Sequence, residues 1–303
     1  MAPRAMTAPT KGETPLAVTL PQGSVVALIA GGGSLPAEIA GRFAEAGQPY
    51  VVLAIEGEAD DGDRFASHPV DPIALEDAGS LIARLKRRSA THVLMAGTVR
   101  RRPRLRDVRW NTGLFKVALD IAWALAHGDD RLLRAVIDHI EKHGIKVISV
   151  QDVLPDLLAA EGVVAGRKPG KRDMADIEAA RTAVEAIGAL DIGQAAIAVG
   201  GRVIALEGIE GTEGLLARTA ELRHHGRLAG AAGGVLVKCA KPGQDLRADL
   251  PSIGPATIDA VAGAGLAGIA VEAGRSLILE REETIRRADD KGIFVFGLEA
   301  REP

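Results

Sequence analysis

Aromatic side chains are scarce: Phe, Trp and Tyr together make up 3% of the 303 residues, and there is a single tyrosine. Little is left from which to build the stacking platforms that hold single-stranded nucleic acid. A formal net charge of -3 likewise excludes the basic stripe of a general nucleic-acid binder. The one cysteine, Cys239, cannot close an internal disulfide, which fits a reducing cytoplasm, and it reads as a buried structural thiol. No apolar run reaches the ~18–20 residues that span a bilayer. The start of the chain, Met1 to Gly23, is rich in Pro, Thr and Ala but lacks the apolar core of a signal peptide, and reads as a disordered extension.

What is present is aliphatic and mixed in charge: hydrophobic residues are 47% and charged residues 25%. The length suits two domains. The expected division is a Rossmann-like domain over residues 24–161, a linker over 162–172 rich in Gly, Pro and basic residues, and a second α/β domain over 173–303. Both are α/β: a parallel sheet in the first and a mixed α/β arrangement in the second. The first half opens as strand (Val25 to Ala30), Gly31-Gly32-Gly33 loop, helix (Leu35 to Ala46) and strand (Tyr50 to Ile55). Pro36 suits a first helical turn and Ser34 its cap, so the loop and helix start could hold an anion. A dinucleotide fingerprint would need a third glycine where Pro36 stands, which weakens a reading as an NAD-dependent oxidoreductase. A helix over Leu75 to Arg88 and a strand from His92 to Ala96 lead into Gly97-Thr98-Val99-Arg100-Arg101, a basic cluster after a strand that attracts anionic ligands or an anionic membrane surface. Helices are expected over 112–126, 129–143 and 153–160, with Asp129 and Asp130 as caps and Trp110, Phe115 and Trp123 in the core.

In the second half, strands over 194–199 and 203–206 flank Gly200-Gly201, a hairpin signal. The second runs into Glu207-Gly208-Ile209-Glu210-Gly211-Thr212-Glu213-Gly214, where glycines let the backbone bend towards a ligand and carboxylates suit a divalent cation. Thr212 is placed to cap the helix that follows. His224 and His225, adjacent and so pointing apart, are not a metal pair. A short apolar strand, Val235 to Val237, then delivers Lys238 and Lys241 into a segment that Pro242 and Gly243 keep from being helical, followed by Gln244, Asp245, Arg247 and Asp249. Lysine and arginine suit phosphate oxygens; aspartate suits a hard cation or a water to be deprotonated. The residues themselves point to an anion site with acid–base capacity.

Four segments, IAGGGSLP (Ile29 to Pro36), AGTVRRRP (Ala96 to Pro103), LEGIEGTEGLLAR (Leu206 to Arg218) and VLVKCAKPGQDLRADLPSIG (Val235 to Gly254), resemble the LpxI-type UDP-2,3-diacylglucosamine pyrophosphatases. The resemblance runs in order from Val25 to Leu298. It implies cleavage of UDP-2,3-diacylglucosamine to UMP and 2,3-diacylglucosamine 1-phosphate (lipid X) in lipid A biosynthesis, with magnesium, by attack of water on the sugar-side phosphorus. It makes Asp245 of the KPGQD segment essential and implies a ligand cleft between the two domains. Lys238, Lys241 and Arg247 are then expected to neutralise phosphates, and Asp245, Glu207, Glu210 and Glu213 to hold magnesium, Asp245 serving instead as base if the metal is held otherwise. Glu213 stands where the family's acidic motif usually has aspartate. Gly31, Gly32, Gly33, Leu35, Pro36, Thr98, Arg100, Arg101, Thr212 and Gln244 are expected substrate contacts. The implied protein is cytoplasmic, at the inner face of the inner membrane with at most peripheral contact, and its oligomeric state, a homodimer included, is open. A nucleotide-sugar- or lipid-binding protein without turnover is the non-enzymatic alternative.

Overall fold

Val26, Ala27, Leu28 and Ala30 are completely buried, as a strand covered on both faces must be. They form β1 (Val26–Ala30), the middle of a five-stranded, all-parallel sheet. The computed structural model describes residues 16–59, 64–101, 129–228, 230–247 and 250–301, without the side chains of Ala78, Asp129 and Asp130. The expected helix over 112–126, the caps Asp129 and Asp130, the core aromatics Trp110, Phe115 and Trp123, and Asp249 therefore lie outside the described residues or side chains. The chain divides into two units, residues 1–123 with 135–155, and residues 124–134 with 156–303.

Unit 1 carries β1, β2 (Tyr50–Ile55), β3 (Val70–Ile73), β4 (His92–Ala96) and β5 (Lys146–Ile148), in the order β3-β2-β1-β4-β5. Successive parallel strands need crossovers, and α1 (Leu35–Glu45) and α2 (Leu81–Arg87) lie between them in the chain. Ile39, Ala40 and Phe43 of α1 are fully buried; each buried large apolar side chain contributes about 1.5–3 kcal/mol. One strand was not expected, and two expectations change. Strand β3 contains Pro72, which cannot donate to a ladder and is tolerated because β3 is the edge strand. The expected helix from Leu75 to Arg88 is a 3-10 turn, Leu75–Ser80, followed by α2. Ser34 makes no side-chain cap to α1.

Unit 2 carries β6 (Gly162–Ala165), β7 (Ala195–Val199), β8 (Arg202–Leu206), β9 (Val235–Lys238), β10 (Ser252–Ile253), β11 (Gly268–Glu272), β12 (Leu277–Ile278) and β13 (Phe294–Leu298). Six of them form a mixed sheet in the order β6-β13-β11-β9-β7-β8, and β10 and β12 make a parallel pair apart from it. Residues alternate across the large sheet with period 2. Ala196, Ala198, Val235 and Val237 pack with Ile177, Ala180 and Val184 of the helix Lys171–Ala189. Ile197, Leu236, Ile269 and Val271 pack on the other face with Leu215, Ile258 and Ala288, from helices Gly211–Leu222, Pro255–Gly263 and Arg281–Asp290. Part of the stretch expected as a linker is structured: Gly162–Ala165 is an antiparallel edge strand beside β13, and a helix begins at Lys171. The expected helix over 153–160 is instead a short helix, Val150–Val153, capped by Ser149, and a 3-10 turn, Pro155–Leu157.

Strand direction decides where the chemistry-bearing loops emerge. β7 runs antiparallel to both β8 and β9, whereas β11 is parallel to β9 and β13 to β11. β8, β9, β11 and β13 thus all end at one rim, where β7 begins.

Candidate active site

At that rim the turn after β9 follows from its sequence. Gln244 N–H donates to Lys241 C=O at 3.0 Å and Gly243 has φ +75°. Proline second and a positive-φ glycine third are the requirements of a type II turn. Gln244, 7% exposed, doubles the closure: its Oε1 accepts the Lys241 N–H at 2.9 Å. Its side-chain oxygen, expected on substrate, is used to shape the turn.

The cations sit at different depths. Lys238 is buried at 6% exposure and donates from Nζ to Ser252 C=O at 2.9 Å, bracing the end of β9 against β10. Lys241 Nζ pairs with Asp191 Oδ1 at 2.6 Å. Arg247 grips Asp245 with two nitrogens, Nε to Oδ1 at 3.0 Å and a terminal nitrogen to Oδ2 at 2.7 Å, while its N–H also donates to Oδ1. The guanidinium hydrogen bond is the main reason the Asp245 carboxyl is held below the usual aspartate range, so it is ionised at neutral pH. Cys239 is buried and its thiol is pushed up to about 12, chiefly by desolvation, which makes it an inert structural residue.

The acidic turn after β8 is joined to this loop through one residue. Glu207, 6% exposed, accepts the Gln194 N–H on Oε2 and the Thr212 hydroxyl on Oε1, both at 2.7 Å. Gln194 C=O in turn accepts the Cys239 N–H at 3.1 Å. Glu207 and Cys239, the residues just beyond β8 and β9, therefore flank Gln194. The helix starts at Gly211 with Glu210 at its cap position, so Thr212 does not cap it but ties down Glu207. Glu210 pairs with Arg218, and Glu213 is exposed on the first helical turn. Among the described residues no three His, Cys, Asp or Glu side chains are grouped to hold a metal ion. With Glu207, Glu210 and Asp245 each engaged by an internal donor, the described residues do not fit a protein-built magnesium cage. Glu207→Ala should orphan the Gln194 N–H and the Thr212 hydroxyl, lowering unfolding free energy by about 2 kcal/mol; an unchanged urea midpoint would refute this pinning role.

Three residues of this rim were not singled out from the sequence: Asp191, Gln194 and Glu272. Glu272, 5% exposed, ends the otherwise apolar β11; it accepts the Ala240 N–H at 3.2 Å and pairs with Arg275. A lone carboxylate closing an apolar strand was the available signal. Asp191 holds φ +55° just beyond a helix end, a conformation Asp tolerates better than most residues.

On unit 1 the glycine loop is closed by its neighbour. Gly31 N–H donates to Ala96 C=O at 2.9 Å, and Gly32 and Thr98 exchange bonds of 2.8 and 2.9 Å. The amides of Gly31 and Gly32 are thus engaged within the protein, not presented as a pyrophosphate cradle. Leu35 and Pro36 are buried, the Pro36 ring lying against Gly97. Glu58 accepts the N–H groups of Arg100 and Arg101 at 2.9 and 2.7 Å, and Arg101 pairs with Glu76. Gly33, whose φ is +94°, stands clear of neighbouring atoms.

No helix among the described residues is long and apolar enough to cross a membrane. Among solved structures, a Thermus thermophilus UDP-glucose 4-epimerase in complex with NAD aligns over 91% of this chain and 86% of its own, at 13% identity and TM-score 0.31, too slight a likeness to bear on the site. Among curated proteins, UDP-2,3-diacylglucosamine pyrophosphatase LpxI of Caulobacter vibrioides is 39% identical over 278 residues, 91% of this chain and 98% of that protein. The LpxI N-terminal domain model matches residues 25–157 and the LpxI C-terminal domain model residues 160–296. With both halves matched in order and a relative of that name aligned nearly end to end, the chain belongs to the LpxI family.

Proposed function

We propose that this protein hydrolyses the pyrophosphate bond of UDP-2,3-diacylglucosamine, giving UMP and 2,3-diacylglucosamine 1-phosphate, as the name of its Caulobacter relative implies for that protein. The observation that carries the proposal is the Asp245–Arg247 pair on the loop braced by Lys238 and Gln244. A guanidinium fork fits phosphate oxygens as well as it fits carboxylate. When a diphosphate draws Arg247 away, Asp245 loses the partner that depresses its pKa and becomes a better proton acceptor for water. Lys241 adds charge at the same loop, and Lys238 supports it from below. Water adds to the sugar-side phosphorus, the bond from that phosphorus to the bridging oxygen breaks, and UMP leaves with that oxygen. Magnesium carried by the diphosphate would add charge neutralisation there; the described carboxylates do not assemble a cage for it. A substrate of this kind places the protein in lipid A biosynthesis, on the cytoplasmic side, with peripheral contact to the bilayer that holds the acyl chains.

Incubation of the full chain with UDP-2,3-diacylglucosamine in ¹⁸O-water tests this directly. UMP should accumulate unlabelled, and the label should sit in the sugar 1-phosphate. Absence of UMP removes the proposal; label in UMP moves the attack to the other phosphorus.

A further inference from the structure

Gln194 stands at the start of β7, between Glu207 and Cys239, with its backbone N–H and C=O bonded to one neighbour each. Its side-chain oxygen differs: Oε1 is buried and has no hydrogen-bond partner among the described residues. A buried amide acceptor left unpaired is destabilising, and such groups in native proteins call for an explanation. Ser276 Oγ shares the condition, but Ser276 is wholly enclosed at 0% exposure. Gln194 as a residue is only half-buried although Oε1 itself is covered, so a molecule settling on the rim would reach its amide by a turn of the side chain. Its backbone C=O accepts the Cys239 N–H, two positions before Lys241, so Gln194 stands beside the strand end from which the Lys241–Asp245 loop departs.

We propose that Gln194 is a specificity-determining substrate-binding residue whose Oε1 accepts a hydrogen bond from a neutral O–H or N–H donor flanking the diphosphate. The chemistry of the orphan atom selects the ligand class. Phosphate oxygens at neutral pH are acceptors, so they cannot satisfy an acceptor. The donor belongs to a group attached to the diphosphate: a hydroxyl or amide N–H of the acylated amino sugar, or the imide N–H of the base. This inference rests on the function proposed above.

The test compares wild type with Gln194→Met, a side chain of similar length without polar atoms. Because no internal bond is lost, the urea midpoint of Q194M should equal or exceed that of wild type. The KM for UDP-2,3-diacylglucosamine should rise about tenfold or more, since an unpaired donor on the substrate is then left buried. Two analogues identify the donor: one with N3-methyluracil, the other lacking a sugar hydroxyl. The analogue that binds wild type more weakly but Q194M no worse than the parent substrate carries the missing partner. A wild-type KM in Q194M, or a lowered midpoint, overturns this proposal alone when wild type releases UMP. A wild type that releases no UMP overturns the proposed function and this assignment together.

Discussion

Asp245→Ala should lower kcat by about 10²–10⁴ while leaving the fold in place. The two halves of that expectation have separate grounds. The hydrogen bonds that the Asp245 carboxylate accepts from described residues all come from Arg247, two residues away, so its removal leaves no described distant donor unpaired. The pair is also part-exposed, with side-chain exposures of 17% for Asp245 and 36% for Arg247, and such pairs contribute at most about 1 kcal/mol. Turnover, by contrast, loses the group that accepts the proton of water. Near-normal turnover in D245A would remove Asp245 from the mechanism. The pH dependence follows with a definite sign. Because the folded pKa lies below the unfolded value, near 3.9, the pair stabilises the native chain above about pH 4, and this contribution is lost as pH falls through the lowered value. The acid limb of kcat/KM assigned to Asp245 should therefore lie below the ordinary carboxylate range, and Arg247→Ala should move it upward. A limb that stays put in R247A would show that the guanidinium does not set it.

Gly97→Ala should cost about 3 kcal/mol. Gly97 has φ +90°, and a Cβ there would lie 2.6 Å from Gly32 oxygen, 2.8 Å from Gly31 carbon and 2.8 Å from the Pro36 ring. Two of those three contacts are backbone, which cannot swing aside as a flexible side chain would. Gly47 supplies the control: its φ is +64° but the space around it is open, so Gly47→Ala should cost only about 1–2 kcal/mol. Urea unfolding followed by circular dichroism separates the two variants. Equal losses would mean that the contact between the Gly31–Gly33 and Gly97–Thr98 loops adds nothing beyond backbone strain.

Both cases show what a linear sequence can and cannot convey. The strands of unit 1 are legible because buried parallel strands are apolar on both faces, and Val26–Ala30 and His92–Ala96 are such runs. The turn at Lys241–Gln244 is legible because Pro-Gly fixes its geometry. Strand β3 is obscured by Pro72, and β6 by glycines and by being a short edge strand with one exposed residue, Val163, among four. The roles of side chains are harder still. Glu207 looks like a cation ligand until Gln194 and Thr212 are brought against it, and those partners come from a neighbouring strand and a following helix. The glycines of Gly31–Gly33 look like a phosphate cradle until Thr98 closes over them from far along the chain. In each case a contact remote in sequence decides between two readings that local chemistry leaves equal.

The common direction of β8, β9, β11 and β13 separates labour within unit 2. Turns bearing acids, amines and the Gln194 amide crowd one side, while the other side carries the Gly200-Gly201 reversal, the exit of β6 towards Arg167 and the entries to β9, β11 and β13. Changes in loop length, or a grafted affinity handle, at Gly200-Gly201 therefore fall at the far end of the strands from Asp245, and must keep the Gly201 N–H that the buried Asp176 carboxylate accepts.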